Sequence, residues 1–318
     1  MTTEIPGYWQ LLLMVLPVFA MVGIGAGLRR VGWLTAEADE SLLKLVVNFL
    51  YPCLIFQNVL GNPALRDPAN LALAPLVGFV TIAAGIVLTL YLGRLLGLGI
   101  GRGLRTFAFA VGIYNYGYIP MALMESLFGR ESIGVLLLHN VGCEAAIWTV
   151  GILVLSGLSV REGWRKLLNP PVVALILAVG LNLVGWHEHL PKVVVTLIDM
   201  SAVCAIPLGL LLIGATLAEY LAKPSSLYEP RVSIGSCLLR LALLPPLFLL
   251  LAQVLPAPVE LKRVMIVQAA MPAGIMPIVI AKHYGGQPLV AVRVVIGTTV
   301  VGLLAIPLWL RLGLAWVE

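Results

Sequence analysis

The chain has 318 residues, of which 60% are hydrophobic and 11% charged, and its mean hydropathy is +1.03. A water-soluble domain of this length needs far more polar surface, so the composition indicates an all-α polytopic membrane protein with no separate soluble domain. The net charge of +5 does not point to nucleic acid, because Lys and Arg flank apolar segments without a basic aromatic stripe.

At about 20 apolar residues per spanning helix, ten spans are predicted, at 8–28, 41–60, 70–96, 104–128, 132–156, 170–187, 196–218, 231–255, 262–284 and 288–313. The first is apolar from Tyr8 and lacks a basic leader and a small-residue cleavage site, so it reads as a span rather than a removed signal. Cys53, Cys143, Cys204 and Cys237 each stand alone in an apolar segment, the pattern of buried small side chains rather than disulfides or a metal site. Connections 1–2, 3–4, 5–6, 7–8 and 9–10 carry 11 Lys and Arg, among them Arg161, Arg165, Lys166 and Lys223; the other side carries 6. The positive-inside rule then puts both termini outside, in a plasma membrane or bacterial inner membrane.

The fourth and ninth predicted spans should not be continuous helices. Gly112-Ile-Tyr-Asn-Tyr-Gly-Tyr-Ile-Pro120 lies in the middle of an uncharged run, and Met271-Pro-Ala-Gly-Ile-Met-Pro277 lies inside the ninth. Pro120 lacks an amide donor and disfavours a helical Ile119, while Gly112 and Gly117 favour a chain that unwinds. Non-helical backbone at membrane depth persists only where protein buries it or a wet cavity meets it. The halves also repeat: Pro52 and Pro207 are 155 residues apart, and the same offset carries Pro120 into the second break. With five spans each, 1–156 and 157–318 form a 5+5 inverted repeat, the arrangement of alternating-access carriers.

These pieces have an order that resembles a known family. Asn48-Phe-Leu-Tyr-Pro-Cys-Leu-Ile-Phe56, Asn115-Tyr-Gly-Tyr-Ile-Pro-Met-Ala-Leu123 and Asn169-Pro-Pro-Val-Val-Ala174 come first. Ile206-Pro-Leu-Gly-Leu-Leu-Leu-Ile-Gly-Ala215, the Met271–Pro277 break and Tyr284-Gly-Gly follow. Together they are similar to the auxin efflux carrier family, whose bacterial members are often described as malate or malonate permeases. The resemblance implies a scaffold of spans 1, 2, 6 and 7 (8–60 plus 170–218). It implies a moving transport domain of spans 3–5 and 8–10 (70–156 plus 231–313), with crossover helices 4 and 9, an elevator mechanism and a homodimer through the scaffold. It also implies kinship with sodium–bile acid symporters, a crossover asparagine at Asn115 and crossover prolines at Pro120 and at Pro272 or Pro277. The ninth span lacks the acidic residue with which such symporters hold sodium; Gln268 is its polar side chain before the break.

A helix broken at mid-membrane exposes amides at the start of its second half, and two such ends meeting favour an anion. A carboxylate is the simplest, either an indole acetate-like acid or a dicarboxylate such as malate. The candidate substrate site is Asn115, Tyr116, Gly117, Pro120, Pro272, Gly274 and Pro277, with the second half-helices starting at Pro120 and Pro277. Tyr114, Tyr116 and Tyr118 alternate and cannot all face it. Asn140 and Glu144 share a helix face, and with Gln268 they make a candidate site for a coupling H+ or Na+. Alternatively, Glu144 pairs with Arg240 or Arg293, or is kept protonated by burial. Arg240 reads either as such a charge partner or as positive field for the substrate. His139 is a candidate proton carrier or a packing residue. Asp199 and Lys44 stand near span starts, where snorkelling is the default. His187-Glu-His189 lacks zinc-site spacing. No cofactor, metal or nucleic-acid partner is expected. An intramembrane enzyme lacks its motifs here; the alternatives are a sodium-coupled bile-acid-type symporter, a ligand-binding sensor without transport, and a channel, which broken helices from inverted repeats suit less well than alternating access.

Overall fold

The computed structural model describes residues 5–156, 168–221, 227 and 229–317. Arg161, Arg165, Lys166 and Lys223, which enter the orientation count, lie outside the described residues. The chain forms α1 (Tyr8–Arg30), α2 (Ala36–Val59), α3 (Pro68–Leu95), α4 (Leu104–Gly112), α5 (Tyr118–Phe128) and α6 (Arg130–Ser156). Then come α7 (Pro170–Leu183), α8 (Lys192–Leu221), α9 (Pro230–Val254), α10 (Val259–Ala270), α11 (Met276–His283) and α12 (Pro288–Val317). Seven of these, α1, α2, α3, α6, α8, α9 and α12, are long and apolar enough to cross a membrane. Among the described residues no strand occurs, only one isolated bridge between Tyr114 and Ala273.

Local chemistry sets the helix starts. Thr35 Oγ1, Asp67 Oδ1 and Asn169 Oδ1 accept amide hydrogens of Ala38, Ala69 and Val172, which caps α2, α3 and α7. Pro68 and Pro170 occupy first helical positions, where the missing amide costs nothing. The cap at Thr35 starts α2 five residues earlier than the apolar run alone predicts, and Glu40 in this extension pairs with Lys44 one turn on at 2.7 Å. Lys44 is therefore not at a helix start. Asp199 is not either: it lies two turns into α8 and accepts from Gln57 Nε2 at 2.9 Å, joining α8 to α2.

Packing follows from small residues and apolar faces. α1 lies along α8 and also touches α12, and α2 packs on α7 and α8. α3 packs on α4 and α6, while α12 packs on α9, α10 and α4. Arg29 at the end of α1 bonds both Asp39 and Glu219, tying α1, α2 and α8 at one end. Large apolar side chains such as Leu13, Leu197 and Val300 point outward, as expected where the solvent is lipid.

Candidate substrate site where two interrupted helices meet

The first interruption covers 113–117 and the second 271–275. Pro120 would clash with the carbonyl of Tyr116 in a continuous helix, so α4 and α5 separate there. Pro120 takes the third position of α5, not the first; Pro277 takes the second of α11. Both are tolerated because none of the first four amides of a helix has an intrahelical acceptor. Met271, which precedes Pro272, is extended as that neighbour requires.

Gly112 acts differently from the sequence expectation, while Gly117 lies in the unwound stretch as expected. Neither Gly112 nor Gly117 has a positive φ, so left-handed freedom is not their contribution. At Gly112 a Cβ would stand 2.5 Å from Ile86 N and 2.6 Å from its Cα, so the residue lets α3 and α4 touch backbone to backbone. A Cβ at Gly274 would stand 3.0 Å from the Tyr114 carbonyl oxygen.

The two interruptions pair with each other. The Asn115 amide donates to Pro272 O at 2.7 Å, and the Gly274 amide donates to Ile113 O at 2.9 Å. Side chains satisfy further backbone groups of both interruptions. Asn140 Nδ2 donates to Tyr116 O at 2.8 Å, Thr298 Oγ1 accepts from Ala273 N at 3.1 Å, and Arg240 Nε donates to Met271 O at 2.9 Å. This accounting matters because an unpaired backbone group in a dry interior costs about as much as a lost hydrogen bond. Thr298 and Thr81 belong to the site and are absent from the sequence candidates. A threonine that bonds its own preceding turn, as Thr298 does to Val294 O, leaves no mark in an apolar sequence.

Asn115 is 8% exposed; its Oδ1 accepts from Gly117 N at 3.2 Å, and its Nδ2 donates to nothing among the described residues. Tyr114 points away from it, fully buried, with its hydroxyl 2.7 Å from Thr81 Oγ1 and 3.3 Å from His139 Nε2. Tyr116 and Tyr118 are half-buried, and Tyr118 meets the Tyr51 ring edge-on at 5.9 Å. His139 is buried beneath Tyr114, in a packing position.

Of the candidate ion residues, Asn140 and Glu144 lie one turn apart on α6, and Gln268 lies on α10, which packs against α6. Glu144 Oε2 accepts from Asn169 Nδ2 at 3.2 Å. No hydrogen bond joins Gln268 to Asn140 or Glu144 among the described residues, and both polar atoms of its buried side chain lack a partner. Asn140 Oδ1 and Arg240 Nη1 are likewise buried and unpartnered. The pairing of Glu144 with Arg240 does not occur: the guanidinium reaches carbonyls of the second interruption and lies 5.1 Å from the Tyr114 ring centre. It is within reach of a strong acceptor there, whereas Glu144 already faces the N-cap of α7.

Comparisons with known proteins agree with a transporter. An uncharacterized transporter of Methanothermobacter thermautotrophicus is 26% identical over 301 residues, covering 93% of this chain and 96% of that protein. An uncharacterized transporter of Methanocaldococcus jannaschii is 21% identical over 302 residues with the same coverage. An uncharacterized transporter of Schizosaccharomyces pombe is 32% identical over 104 residues, 32% of this chain and 23% of its own length. These relatives are named as transporters, not enzymes. The profile of the family described as membrane transport protein matches residues 11–162 and 158–310, nearly the whole chain. The chain is a multi-pass membrane protein and belongs to that membrane transport protein family, the family of the auxin efflux carriers.

Proposed function

We propose that the chain is a secondary carrier of small organic anions that works by alternating access. In this reading α4–α5 and α10–α11 are the fourth and ninth of ten spans, α7 is the sixth, and the two halves are inverted five-span repeats. A correspondence between the halves supports it. Asn140, which holds the first interruption, follows the residue it bonds, Tyr116, by 24 residues. Thr298, which holds the second, follows Ala273 by 25. The contacts of α1, α2, α7 and α8 with one another fit a scaffold of 8–60 plus 170–218, and a moving body of 70–156 plus 231–313 fits the rest. Both termini would face outside a plasma or bacterial inner membrane, with homodimerisation through the scaffold.

The observation that carries the reading is the backbone pairing of the two interruptions. It brings the amide ends of α5 and α11 to one region, each with proline in its first turn, and leaves Asn115 Nδ2 as a free donor beside them. Arg240 has no exposed surface, so it contributes field rather than contact, which favours a single carboxylate over a dicarboxylate. Uptake of labelled indole acetate and malate into proteoliposomes tests this, with pH and sodium gradients imposed separately. Asn115→Ala should lower carboxylate uptake about tenfold or more, the equivalent of one charge-assisted hydrogen bond. Undiminished uptake in Asn115→Ala sinks the site.

A further inference from the structure

The C-terminal end of α10 and the residue after it present the carbonyl oxygens of Gln268, Ala269 and Met271 to one point inside the protein. Arg240 occupies that point. Its Nε donates to Met271 O at 2.9 Å, and its Nη2 lies 3.4 Å from the oxygens of both Gln268 and Ala269. The side chain has no exposed surface, and among the described residues its charge has no carboxylate within ion-pair distance.

A guanidinium buried in a span without a counter-charge is costly. The counter-charge here is the negative end of α10, whose last carbonyls lack α-helical donors, although Gln268 O also accepts from the Met271 amide at 3.2 Å. The ring faces of Tyr114 and Phe248, centred 5.1 and 5.4 Å from the guanidinium carbon, add cation–π attraction. Tyr114 belongs to the first interruption and Met271 to the second, so one cation touches both. Arg240 is itself carried on a widened π-turn, Leu238–Leu243, of the kind that recurs at functional positions.

Carbonyl oxygens at the C-terminal end of a half-helix are also the ligands that hold alkali-metal cations at mid-membrane. We infer that Arg240 is a resident cation of the paired interruptions: it fills the place a bound sodium or potassium ion would take, so the pair closes without one. Arg240 is then a positioning residue, acting on the substrate site through Met271 and Tyr114. Gln268 contributes its backbone carbonyl to this cluster. The inference holds whichever substrate is carried.

Thermal unfolding of purified wild type, Arg240→Ala and Arg240→Lys in the chlorides of sodium, methylguanidinium and choline, at equal ionic strength, tests it. Wild type and Arg240→Lys should melt at temperatures independent of the cation. Arg240→Ala should melt lower in choline and recover by several degrees, saturably, in methylguanidinium or sodium, as binding to the folded state alone requires. An arginine that only packs would leave a destabilised protein that no cation restores. Three results overturn the inference: wild type stabilised by sodium over choline, Arg240→Ala responding alike to all three salts, or Arg240→Ala not recovered folded in any of them. A wrong substrate class leaves every one of these curves unchanged, so the two readings fail separately.

Discussion

The side-chain amide of Asn140 donates to the carbonyl of Tyr116 at 2.8 Å, one helical turn before Glu144. That carbonyl lies in the first interruption and has no helical donor, so Asn140 does the work of the missing turn. Asn140→Ala leaves it unpaired in a part-buried site and should cost about 1 kcal/mol or more of stability. Asn140→Asp, which offers no donor when ionised, should also lower stability, measured by thermal unfolding. If both variants unfold like wild type, the interruption is held by something else.

Gly274→Ala and Gly112→Ala separate close packing within the pair from close packing beside it. At Gly112 the new methyl meets Ile86 backbone atoms at 2.5 and 2.6 Å, and neither can swing aside. Overpacking of this kind costs roughly 1–3 kcal/mol. At Gly274 the nearest atom is the Tyr114 carbonyl oxygen at 3.0 Å, so a shift of a few tenths of an ångström relieves it. Gly274→Ala should therefore be the milder change in stability and yet lower uptake, because the shift falls on the pairing itself. Equal loss of stability in both would contradict the difference in what each methyl meets.

The interruptions are legible in the sequence because proline and glycine cluster there, whereas the single prolines Pro17, Pro75 and Pro307 are carried inside continuous helices, and Asn169-Pro-Pro carries the signature of a helix start. The partners of the freed backbone are not legible. Arg240 bonds carbonyls 28 to 31 residues away, and a carbonyl has no residue type to betray it. For the same reason the sequence offers Glu144 as a partner for Arg240, since opposite charges in apolar runs are the only complement a sequence displays. Glu144 instead meets the asparagine that caps α7. Gly112 reads as a flexible point, but its value is closeness to Ile86, which depends on the packing of α3 against α4.

Tyr114 offers two functions that substitution can divide. Its hydroxyl contacts Thr81 and His139, while its ring lies under Arg240. Tyr114→Phe should cost about 1 kcal/mol, the net value of one buried hydrogen bond, since Thr81 keeps its bond to Val77 O. Uptake should remain near wild type, because the ring still faces the guanidinium. Tyr114→Leu removes the face as well, and it should lose up to about 2 kcal/mol more together with uptake. Parallel unfolding and uptake measurements would show which part of the residue matters; equal effects would place everything in the hydroxyl.

Glu144 and Asn169 tie α6 to the start of α7, and in the proposed carrier those helices belong to the moving body and the scaffold respectively. A sliding body must break this 3.2 Å contact in each cycle. Cysteines at both positions, in a chain with its four native cysteines replaced, can be joined by a short reducible bifunctional thiol reagent. The link should lower uptake about tenfold or more, since a barrier higher by about 1.4 kcal/mol suffices for that, and reduction should restore it. A pair at Arg29 and Glu219, whose helices α1 and α8 both lie in the scaffold, should accept the same link without loss. If joining 144 to 169 leaves uptake unchanged while the reagent is shown by mass to have bridged them, the two helices do not move apart, and the division into scaffold and moving body fails.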